Sequence, residues 1–475
     1  MNVYLVMIKT YLGYKGYTIV KDNITIKEQL FIRKELEVSP NKTLMGPAPS
    51  FPIYRESDTK LYVPRYFGLE HFGEPDEIKI TTGKDISLSF NGELREYQNN
   101  IVTKYMNFIN KNGGGLLDVE PGKGKTVMAL NIISKLNKKT LIIVHKSFLL
   151  NQWIERINQF LPNARIGRIQ GEVMDIEDKD IVIGMIQSLS QKTYDTKAFE
   201  SFGLSVYDEC HHLSAEVFSN TLVKIVTIHT LGLSGTMTRK DGLSRVFKMF
   251  LGPVIHKEAS EKNIEVLIKG IHYETTDEEF NEVKLDFRGN PMYSSMITKL
   301  CTYNHRSEFI ITIIKNELKQ NPDQQIMILA HNKNLIKYLH DSIEHHNIAT
   351  VGYYVGGMKE KNLKESESKK IIIGTYAMAS EGLDIKTLTT LIMATPKTDV
   401  CQSVGRILRT KHSQPMVIDI IDSHTIFKNQ WKKRQTYYKK QNYKIILTNQ
   451  NDYIENKWKL IDKKPNFKKK CLLKI

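Results

Sequence analysis

One segment decides the fold of this chain: Val119-Glu120-Pro121-Gly122-Lys123-Gly124-Lys125-Thr126. An apolar run that includes Leu116 and Leu117 comes before it, and apolar residues at helical spacing, from Val127 to Ile133, follow it. Short apolar runs predict buried strands, and a period near 3.6 residues predicts a helix. The sequence therefore predicts a strand, a Gly-rich turn and a helix at this position.

The Gly-rich turn has the composition of a phosphate cradle. Such a turn directs consecutive backbone N–H groups and the positive end of a helix at one point. We expect Gly122 to Thr126 to bind a nucleotide, with the Lys125 ammonium on the β- and γ-phosphates and the Thr126 hydroxyl on Mg²⁺. The usual pattern has a Gly where this chain has Val119, so a chance Gly-Lys-Gly-Lys-Thr in a Lys-rich chain is the alternative.

Length and composition limit the class of protein. A chain of 475 residues with 41% hydrophobic residues can bury several cores, and its length predicts about three domains. The net charge of +16 indicates an anionic partner such as nucleic acid, although an AT-rich genome would also give a Lys-rich chain. Neither a long apolar run nor a signal peptide is present, so we expect an intracellular protein without a membrane partner. The four widely spaced cysteines predict reduced thiols and no zinc site.

The apolar runs divide the chain into five parts. Strand-like runs at 17–20 and 24–26, followed by a Pro-rich stretch, predict a small α+β domain whose role is either nucleic-acid contact or structural docking. Alternating strands and helices then predict two parallel sheets, with strands of the second at 325–329, 351–355, 370–375, 388–393 and 416–421. The predicted parts are an N-terminal accessory domain (1–88), a first α/β domain (89–255), a bridge (256–300), a second α/β domain (301–445) and a basic tail (446–475).

Two adjacent carboxylates, Asp208 and Glu209, follow a buried strand of the first α/β domain. Ligands of such sheets bind at the carboxyl ends of the strands. We expect Asp208 to hold Mg²⁺ and Glu209 to polarise the water that attacks a γ-phosphate, with a solvated acidic turn as the alternative. His211 is expected to link this turn to neighbouring loops. Hydroxyl groups of Ser234-Gly235-Thr236 are expected to bond the same turn, unless this segment is a plain loop.

The second α/β domain has no phosphate cradle, but it carries paired arginines. Arg406 and Arg409 are three residues apart and would share one face of a helix. Two guanidinium groups there could reach the γ-phosphate of a nucleotide bound by the first domain, as arginine fingers do. The alternative is a pair of surface arginines.

The chain from Phe427 onward interleaves lysines with aromatic residues. Cations contact phosphates and rings stack on unpaired bases, so this region could extend a nucleic-acid path. A helix packed on the second domain, with a solvated basic end, is the competing interpretation.

This set of motifs resembles the superfamily 2 helicases of the DEAH type, over roughly residues 90 to 440. By this resemblance Gln98 corresponds to the adenine-reading glutamine, Gly122 to Thr126 to motif I, Asp208-Glu209-Cys210-His211 to motif II, Ser234-Gly235-Thr236 to the coupling motif, Gly382 and Asp384 to motif V, and Gln402, Gly405, Arg406 and Arg409 to motif VI. The resemblance implies ATP and Mg²⁺ as cofactors. It further implies catalytic roles for Lys125, Asp208, Glu209, Gln402, Arg406 and Arg409, and nucleotide contacts from Gln98, Gly382 and Asp384. Met237 departs from the family, which usually has Pro there.

Within the superfamily, three segments are most similar to DNA helicases related to the XPB repair translocase and to the transcript-release helicase of poxviruses. They are Leu231 to Gly242, Gly352 to Gly357, and the run from Ile418 to Asp422 that leads to Trp431 and Tyr437. This likeness implies DNA-dependent ATP hydrolysis, 3′-to-5′ unwinding and, in poxviruses, release of RNA from a stalled or terminating polymerase.

The prediction for fold and function is therefore an α/β protein with two tandem RecA-like parallel-sheet domains, a small α+β N-terminal domain and a basic C-terminal tail. We expect an ATP-dependent DNA helicase or translocase acting in viral transcription or in DNA repair. Its expected partners are DNA, as a single strand or a duplex–single-strand junction, and also RNA and RNA polymerase. Its expected location, if viral, is the virion and the host cytoplasm. The alternatives are a restriction-type motor subunit, an RNA helicase and a non-enzymatic binding module.

Overall fold

The computed structural model of the chain describes residues 9–41, 49–120, 122–214, 216–235, 237, 241–257, 266–381, 385, 387–400, 404 and 414–461. The chain forms two compact units, Met1–Ala259 and Ser260–Ile475. The first unit contains the N-terminal domain and one large sheet, and the second unit contains the other large sheet. In the described ranges, no helix combines the length and apolar character needed to cross a membrane.

The N-terminal part is an α+β domain, as predicted. Its elements are β1 (Thr10–Gly13), β2 (Gly16–Val20), α1 (Ile26–Glu35), β3 (Glu37–Val38), β4 (Phe51–Pro52), β5 (Arg55–Glu56), β6 (Lys60–Val63), α2 (Arg65–Phe72) and β7 (Glu77–Ile78). The predicted strand at 24–26 is wrong. Thr25 accepts a hydrogen bond from the Glu28 backbone N–H, and the Glu28 side chain bonds back to Thr25. This reciprocal capping box starts helix α1 despite the β-branched residues around it.

The N-terminal domain shares a core with the first large sheet. Tyr17 and Phe67 belong to the same buried cluster as Val246, which lies on a helix of the next domain. Arg65 Nη1 also donates to the backbone oxygen of Ile228 at 2.8 Å. Buried side chains that belong to one cluster lose water together. The N-terminal domain is therefore an integral part of the first unit.

The first large sheet carries the Gly-rich segment after its strand β8 (Gly114–Asp118), which lies one strand from the edge of the sheet. Its elements are α3 (Glu96–Asn112), β8 (Gly114–Asp118), α4 (Lys125–Leu136), β9 (Thr140–Val144), α5 (Ser147–Phe160), β10 (Ile166–Gln170), β11 (Val173–Met174), β12 (Ile181–Met185), α6 (Ile186–Gln191), β13 (Leu204–Asp208), α7 (Glu216–Lys224), β14 (His229–Ser234), α8 (Ser244–Leu251) and β15 (Val254–Lys257). The strand order is β11-β10-β12-β9-β13-β14-β8-β15, and every pair except β10–β11 is parallel. The carboxyl ends of β13, β14 and β8 therefore lie side by side at one edge.

The second large sheet is also mostly parallel. Its elements are β16 (Leu267–Tyr273), α9 (Glu278–Asn281), α10 (Tyr293–Thr302), α11 (Asn304–Gln320), β17 (Gln325–Ala330), α12 (Lys333–His345), β18 (Val351–Tyr354), α13 (Glu360–Glu367), β19 (Ile371–Thr375), α14 (Tyr376–Glu381), β20 (Leu388–Met393), β21 (Met416–Asp422), α15 (Thr425–Lys440), β22 (Lys444–Asn449), α16 (Gln450–Ile454) and β23 (Lys459–Leu460). The strand order is β18-β19-β17-β20-β21-β16-β22-β23. All five predicted strands of this sheet are present. The predicted α/β class with two tandem RecA-like sheets is confirmed.

Two boundaries differ from the sequence prediction. Strand β16, which lies in the predicted bridge at 256–300, pairs in parallel with β21 on one side and β22 on the other. It is thus an interior strand of the second sheet. The predicted end of the second domain at 445 falls inside β22, and strand β23 follows it within the predicted tail. Residues 462–475, the rest of that tail, lie outside the described residues.

Two fully buried ion pairs hold helices to the second sheet. The Arg306 guanidinium bonds both oxygens of Asp422 at 2.5 and 2.9 Å, and Arg434 bonds both oxygens of Asp419 at 2.7 and 2.8 Å. All four side chains have no exposed surface. Paired charges of this kind need fork-shaped hydrogen bonding to offset the loss of water. The pairs anchor helices α11 and α15 to strand β21.

Candidate nucleotide site

The Gly-rich turn has the geometry of a phosphate cradle. Gly122 and Gly124 have φ angles of 85° and 84°, in the left-handed region that glycine adopts without strain. A Cβ atom at position 124 would collide with Nε2 of Gln98. Helix α4 begins directly after this turn, at Lys125, so its unpaired N–H groups face the turn. Thr126 occupies the second position of the helix.

Two side chains of helix α3 form hydrogen bonds with the backbone of the Gly-rich turn. The Tyr97 hydroxyl and the Gln98 amide nitrogen each donate to the Lys123 backbone oxygen at 2.9 Å. Gln98 Oε1 accepts from the Arg95 backbone N–H, so its amide is used at both ends. Gln98 is 6% exposed. The structure therefore places this predicted nucleotide-contact residue against the cradle itself.

Asp208 and Glu209 lie at the same edge of the sheet as the cradle. Strand β14 separates their strand, β13, from β8, and Ser234 at its end is paired in register with Asp118. Lys125 Nζ lies 2.9 Å from Glu209 Oε1. The structure thus brings together three predicted site residues, Lys125, Asp208 and Glu209, although Lys125 and Glu209 are 84 residues apart in the chain.

The backbone of Glu209 is strained. Its φ angle is 48°, and every other non-glycine residue with positive φ in the described ranges is Asn or Asp. Those two residue types tolerate the left-handed region, whereas glutamate does so rarely. Unusual backbone conformations concentrate at functional sites, where the surrounding structure maintains them. Here the strained turn directs the Glu209 carboxylate at Lys125.

The Asp208 carboxylate is held by the protein on two sides. Trp153 Nε1 donates to Asp208 Oδ2 at 3.0 Å, and the Glu209 backbone N–H donates to Oδ1 at 3.1 Å. Burial raises the pKa of Asp208, and the neighbouring Glu209 charge raises it further; Lys125 and the Trp153 hydrogen bond act in the opposite direction. The site therefore holds a poorly solvated carboxylate, and a nearby cation would stabilise its charged form.

One histidine connects this turn to the end of the next strand. His211 Nδ1 lies 2.8 Å from the Ser234 hydroxyl and 3.4 Å from Glu209 Oε2. These contacts join Glu209 to the end of strand β14 through one side chain; the coupling role of this link stays a prediction. Thr236, the other hydroxyl of the predicted coupling segment, lies outside the described residues.

The residues present fit a nucleotide with Mg²⁺. The cradle supplies backbone N–H groups and one ammonium, and Asp208 supplies a carboxylate with raised pKa. In the described part of the chain no group of three or more His, Cys, Asp or Glu side chains could hold a metal ion. Mg²⁺ usually binds through one or two protein oxygens together with substrate phosphates and water, and the Asp208 carboxylate is a ligand of this kind.

Sequence reasoning missed Tyr97 and Trp153 as site residues. No sequence signal marked Trp153, because the pairing of strands β9 and β13, which brings its helix α5 close to Asp208, is visible only in the sheet. The remaining predicted site residues lie outside the described ranges: Gly382, Asp384, Gln402, Gly405, Arg406 and Arg409.

Comparison with known proteins identifies relatives of the whole chain. Residues 91–239 match the family described as "Type III restriction enzyme, res subunit". The "Putative ATP-dependent RNA helicase L396" of Acanthamoeba polyphaga mimivirus is 35% identical over 482 residues, which cover 97% of this chain and 91% of that protein. The "Putative helicase 161L" of Invertebrate iridescent virus 6 is 27% identical and covers 76% of this chain and 85% of its own length. The "Putative ATP-dependent RNA helicase QP509L" of African swine fever virus (isolate Pig/Kenya/KEN-50/1950) is 27% identical, with 74% of each chain covered.

Proposed function

The chain belongs to the superfamily 2 helicases of large DNA viruses, and on this premise we propose that it is a DNA helicase or translocase acting in viral transcription. Enzymes of this family couple ATP hydrolysis to their action on nucleic acid. Its task would be transcript release or termination, with RNA polymerase as a partner. A role in DNA repair is the alternative task for the same enzyme. The support for this finer assignment is the likeness of Leu231 to Gly242 and Gly352 to Gly357 to XPB-related and poxvirus helicases.

One observation carries the enzymatic part of the proposal. Lys125, at the first position of a helix behind a Gly-rich turn, faces Glu209 at 2.9 Å, beside a poorly solvated Asp208. A cation, a carboxylate and a helix N-terminus at one strand edge are what phosphoryl transfer to water requires. A module that only bound nucleic acid would have no need for this arrangement.

The proposed mechanism assigns a task to each group. Lys125 turns from Glu209 to the β- and γ-phosphates, and the N–H groups of the cradle hold the phosphate oxygens. Mg²⁺, when bound, would neutralise charge on the phosphates, with Thr126 and Asp208 as its protein ligands. Glu209, released from Lys125, is then free to polarise the attacking water. His211 would transmit this movement to Ser234, its hydrogen-bond partner.

The residues of motifs V and VI complete the proposal on the basis of the sequence alone. Gly382 and Asp384 would contact the nucleotide, and Gln402 would belong to the catalytic set. Arg406 and Arg409 would stabilise charge on the γ-phosphate in the transition state. Their support is the spacing of three residues and the family resemblance.

RNA is the second candidate substrate, because the mimivirus and African swine fever virus relatives carry the name RNA helicase. A restriction-type motor is a third candidate, suggested by the description of the family that matches residues 91–239. ATP hydrolysis measured with single-stranded DNA, duplex DNA or RNA distinguishes them, together with strand displacement on a duplex that has a 3′ single-stranded extension. We expect DNA to stimulate hydrolysis most strongly. Stimulation by RNA alone would refute the DNA assignment, and no stimulation by any nucleic acid would refute the motor.

A further inference from the structure

Helix α15 (Thr425–Lys440) turns a strongly basic face to the solvent. The sequence from Ser423 to Asn451 contains no aspartate or glutamate. The exposed residues of the helix are all polar or cationic, and we call them the basic face: Thr425, Asn429, Lys432, Lys433, Thr436, Lys439 and Lys440. The basic face therefore carries four positive charges and no negative charge.

The opposite face of helix α15 fixes it to the second sheet. Phe427, Trp431 and Tyr438 are buried, and Tyr437 packs, partly buried, beside Trp431 and Tyr438. Arg434, whose buried ion pair is described above, lies on the same face. The aromatic residues of this helix thus belong to the core of the second domain, and their rings do not face the solvent together with the lysines.

The lysines of the basic face form two pairs. The first pair is Lys432 and Lys433. The second pair, Lys439 and Lys440, follows seven residues later, which is two helical turns or about 10 Å along the axis. The grooves of B-DNA are about 6 and 12 Å wide. The two pairs can therefore reach phosphates on the two strands that border one groove.

The composition of the basic face favours a duplex backbone over other anionic partners. A protein interface is usually centred on aromatic or aliphatic side chains and is poor in lysine, whereas the exposed residues of this helix include no apolar one. A single strand is usually held by exposed rings that stack on bases, and the rings of this helix are buried. A duplex presents a dense, regular array of phosphates that cations alone can bind.

The basic face extends away from the edge of the sheet where ligands bind. Helix α15 begins after the carboxyl end of β21 and ends before the amino end of β22, and both strands run parallel to β16. The helix thus crosses the sheet from its carboxyl edge toward its amino edge, whereas ligands of such sheets bind at the carboxyl edge. The helix dipole favours lysines only in the last turn, so it does not account for Lys432 and Lys433.

We propose that the basic face of helix α15 is a docking surface for double-helical nucleic acid, in which the four lysines contact backbone phosphates and no base is read. This inference rests on the proposed function, because it requires a substrate that contains a duplex. The surface would hold the duplex part of a duplex–single-strand junction. Its binding would be independent of sequence, as a motor that moves along nucleic acid needs.

The affinity of the full chain for a blunt DNA duplex, measured in about 50 to 200 mM NaCl, tests the docking surface. Each phosphate contact that is lost should lower the slope of log K against log salt by about one. Lys432→Gln with Lys433→Gln should therefore lower the slope by about two, and substitution of all four lysines by glutamine should lower it by about four. Substitution of all four by arginine keeps the charges and should preserve duplex affinity.

A matched control removes two exposed lysines from another helix of the same unit. Lys315 and Lys319 lie on helix α11, and their substitution by glutamine should leave the salt slope unchanged. Acetylation of surface lysines, read by mass spectrometry, locates the contact directly. Bound duplex should protect the lysines of the basic face and should leave Lys315 and Lys319 reactive.

A comparison of two probes separates a duplex from a single strand. The variant with all four glutamines should lose more affinity for the duplex than for single-stranded oligo-dT. Equal losses for the two probes would assign the basic face to a single strand and overturn the proposal.

The remaining outcomes distinguish this inference from the proposed function. If wild type binds the duplex and the variant with all four glutamines binds it with the same affinity and slope, the docking surface is refuted while the motor stands. An acidic protein would then be the partner to seek for this face. If wild type binds no nucleic acid and none stimulates its ATP hydrolysis, the proposed function fails, and the docking surface fails with it.

Discussion

If Lys125 binds a nucleotide phosphate, as we propose, its ion pair with Glu209 competes with the nucleotide for one ammonium group, and Glu209→Gln tests this competition. A phosphate that binds Lys125 has to replace the carboxylate that lies 2.9 Å from its Nζ atom. Glutamine keeps the shape of the side chain without its charge. The variant should therefore bind nucleotide more tightly, yet hydrolyse ATP orders of magnitude more slowly because it cannot polarise water.

The expected gain in affinity follows from the burial of the pair. A solvent-exposed ion pair contributes at most about 1 kcal/mol, and a hydrogen bond to a charged group about 1.5 to 3 kcal/mol. The side chains of Lys125 and Glu209 are 11% and 22% exposed, between these cases. We therefore assign about 1 to 2 kcal/mol to the Lys125–Glu209 ion pair, and its loss in Glu209→Gln corresponds to about 5- to 30-fold tighter binding of nucleotide.

The assay is a titration with fluorescent ADP, with and without Mg²⁺, followed by single-turnover hydrolysis of ATP. A matched control is Asp180→Asn, which removes the carboxylate that lies 2.7 Å from Arg165. Asp180 directly precedes strand β12, at the end of the strand away from the carboxyl edge of the sheet, so this variant should leave nucleotide affinity unchanged. Weaker ADP binding by a folded Glu209→Gln protein would refute the competition. The Glu209 carboxylate would then belong to the nucleotide-binding set.

Substitutions at three other positions test the site. Lys125→Ala should abolish hydrolysis and leave the protein folded, because it removes a phosphate-binding charge and no core packing; near-normal turnover would contradict the cradle. Arg409→Ala should slow single-turnover hydrolysis about 10³-fold or more, and Arg409→Lys nearly as much, since an ammonium lacks the guanidinium fork; wild-type rates would exclude the finger role. Trp153→Phe removes a hydrogen bond that lowers the pKa of Asp208, so this pKa should rise and the acidic limb of the pH–rate profile should move to higher pH; an unmoved limb would show that Asp208 does not control it.

Local pattern predicted most of the secondary structure because the chain is consistent over short windows. The five strands of the second sheet named in advance are short, almost wholly apolar runs, typical of parallel strands buried on both faces. The Gly-rich turn and the Asp208-Glu209 pair were predicted to share an edge, since both follow strands of one parallel sheet. The distance of 2.9 Å between Lys125 Nζ, directly after the turn, and Glu209 Oε1 agrees with the prediction that they share this edge.

Other features depend on information that a short window does not contain. The run Ile24-Thr25-Ile26 has strand propensity, but the side-chain bonds between Thr25 and Glu28 favour a helix there. Helical spacing alone could not show that the indole N–H of Trp153 reaches Asp208. Strand order is equally hidden, and so residues 267–273 were taken for a bridge although they form an interior strand.

The position of strand β16 also bears on how the protein is made on the ribosome. The strands of the first unit end with Val254–Lys257, so that sheet can close while the rest of the chain is still being synthesised. Strand β16 emerges next, but its two neighbours, Met416–Asp422 and Lys444–Asn449, emerge near the end of translation. Until then Ile268 and Ile271, which have no exposed surface in the folded protein, are uncovered on the nascent chain. Pairing between such distant segments is slow and leaves apolar strands open to aggregation, so we expect the second unit to fold after the first and to be the more prone to aggregate during synthesis.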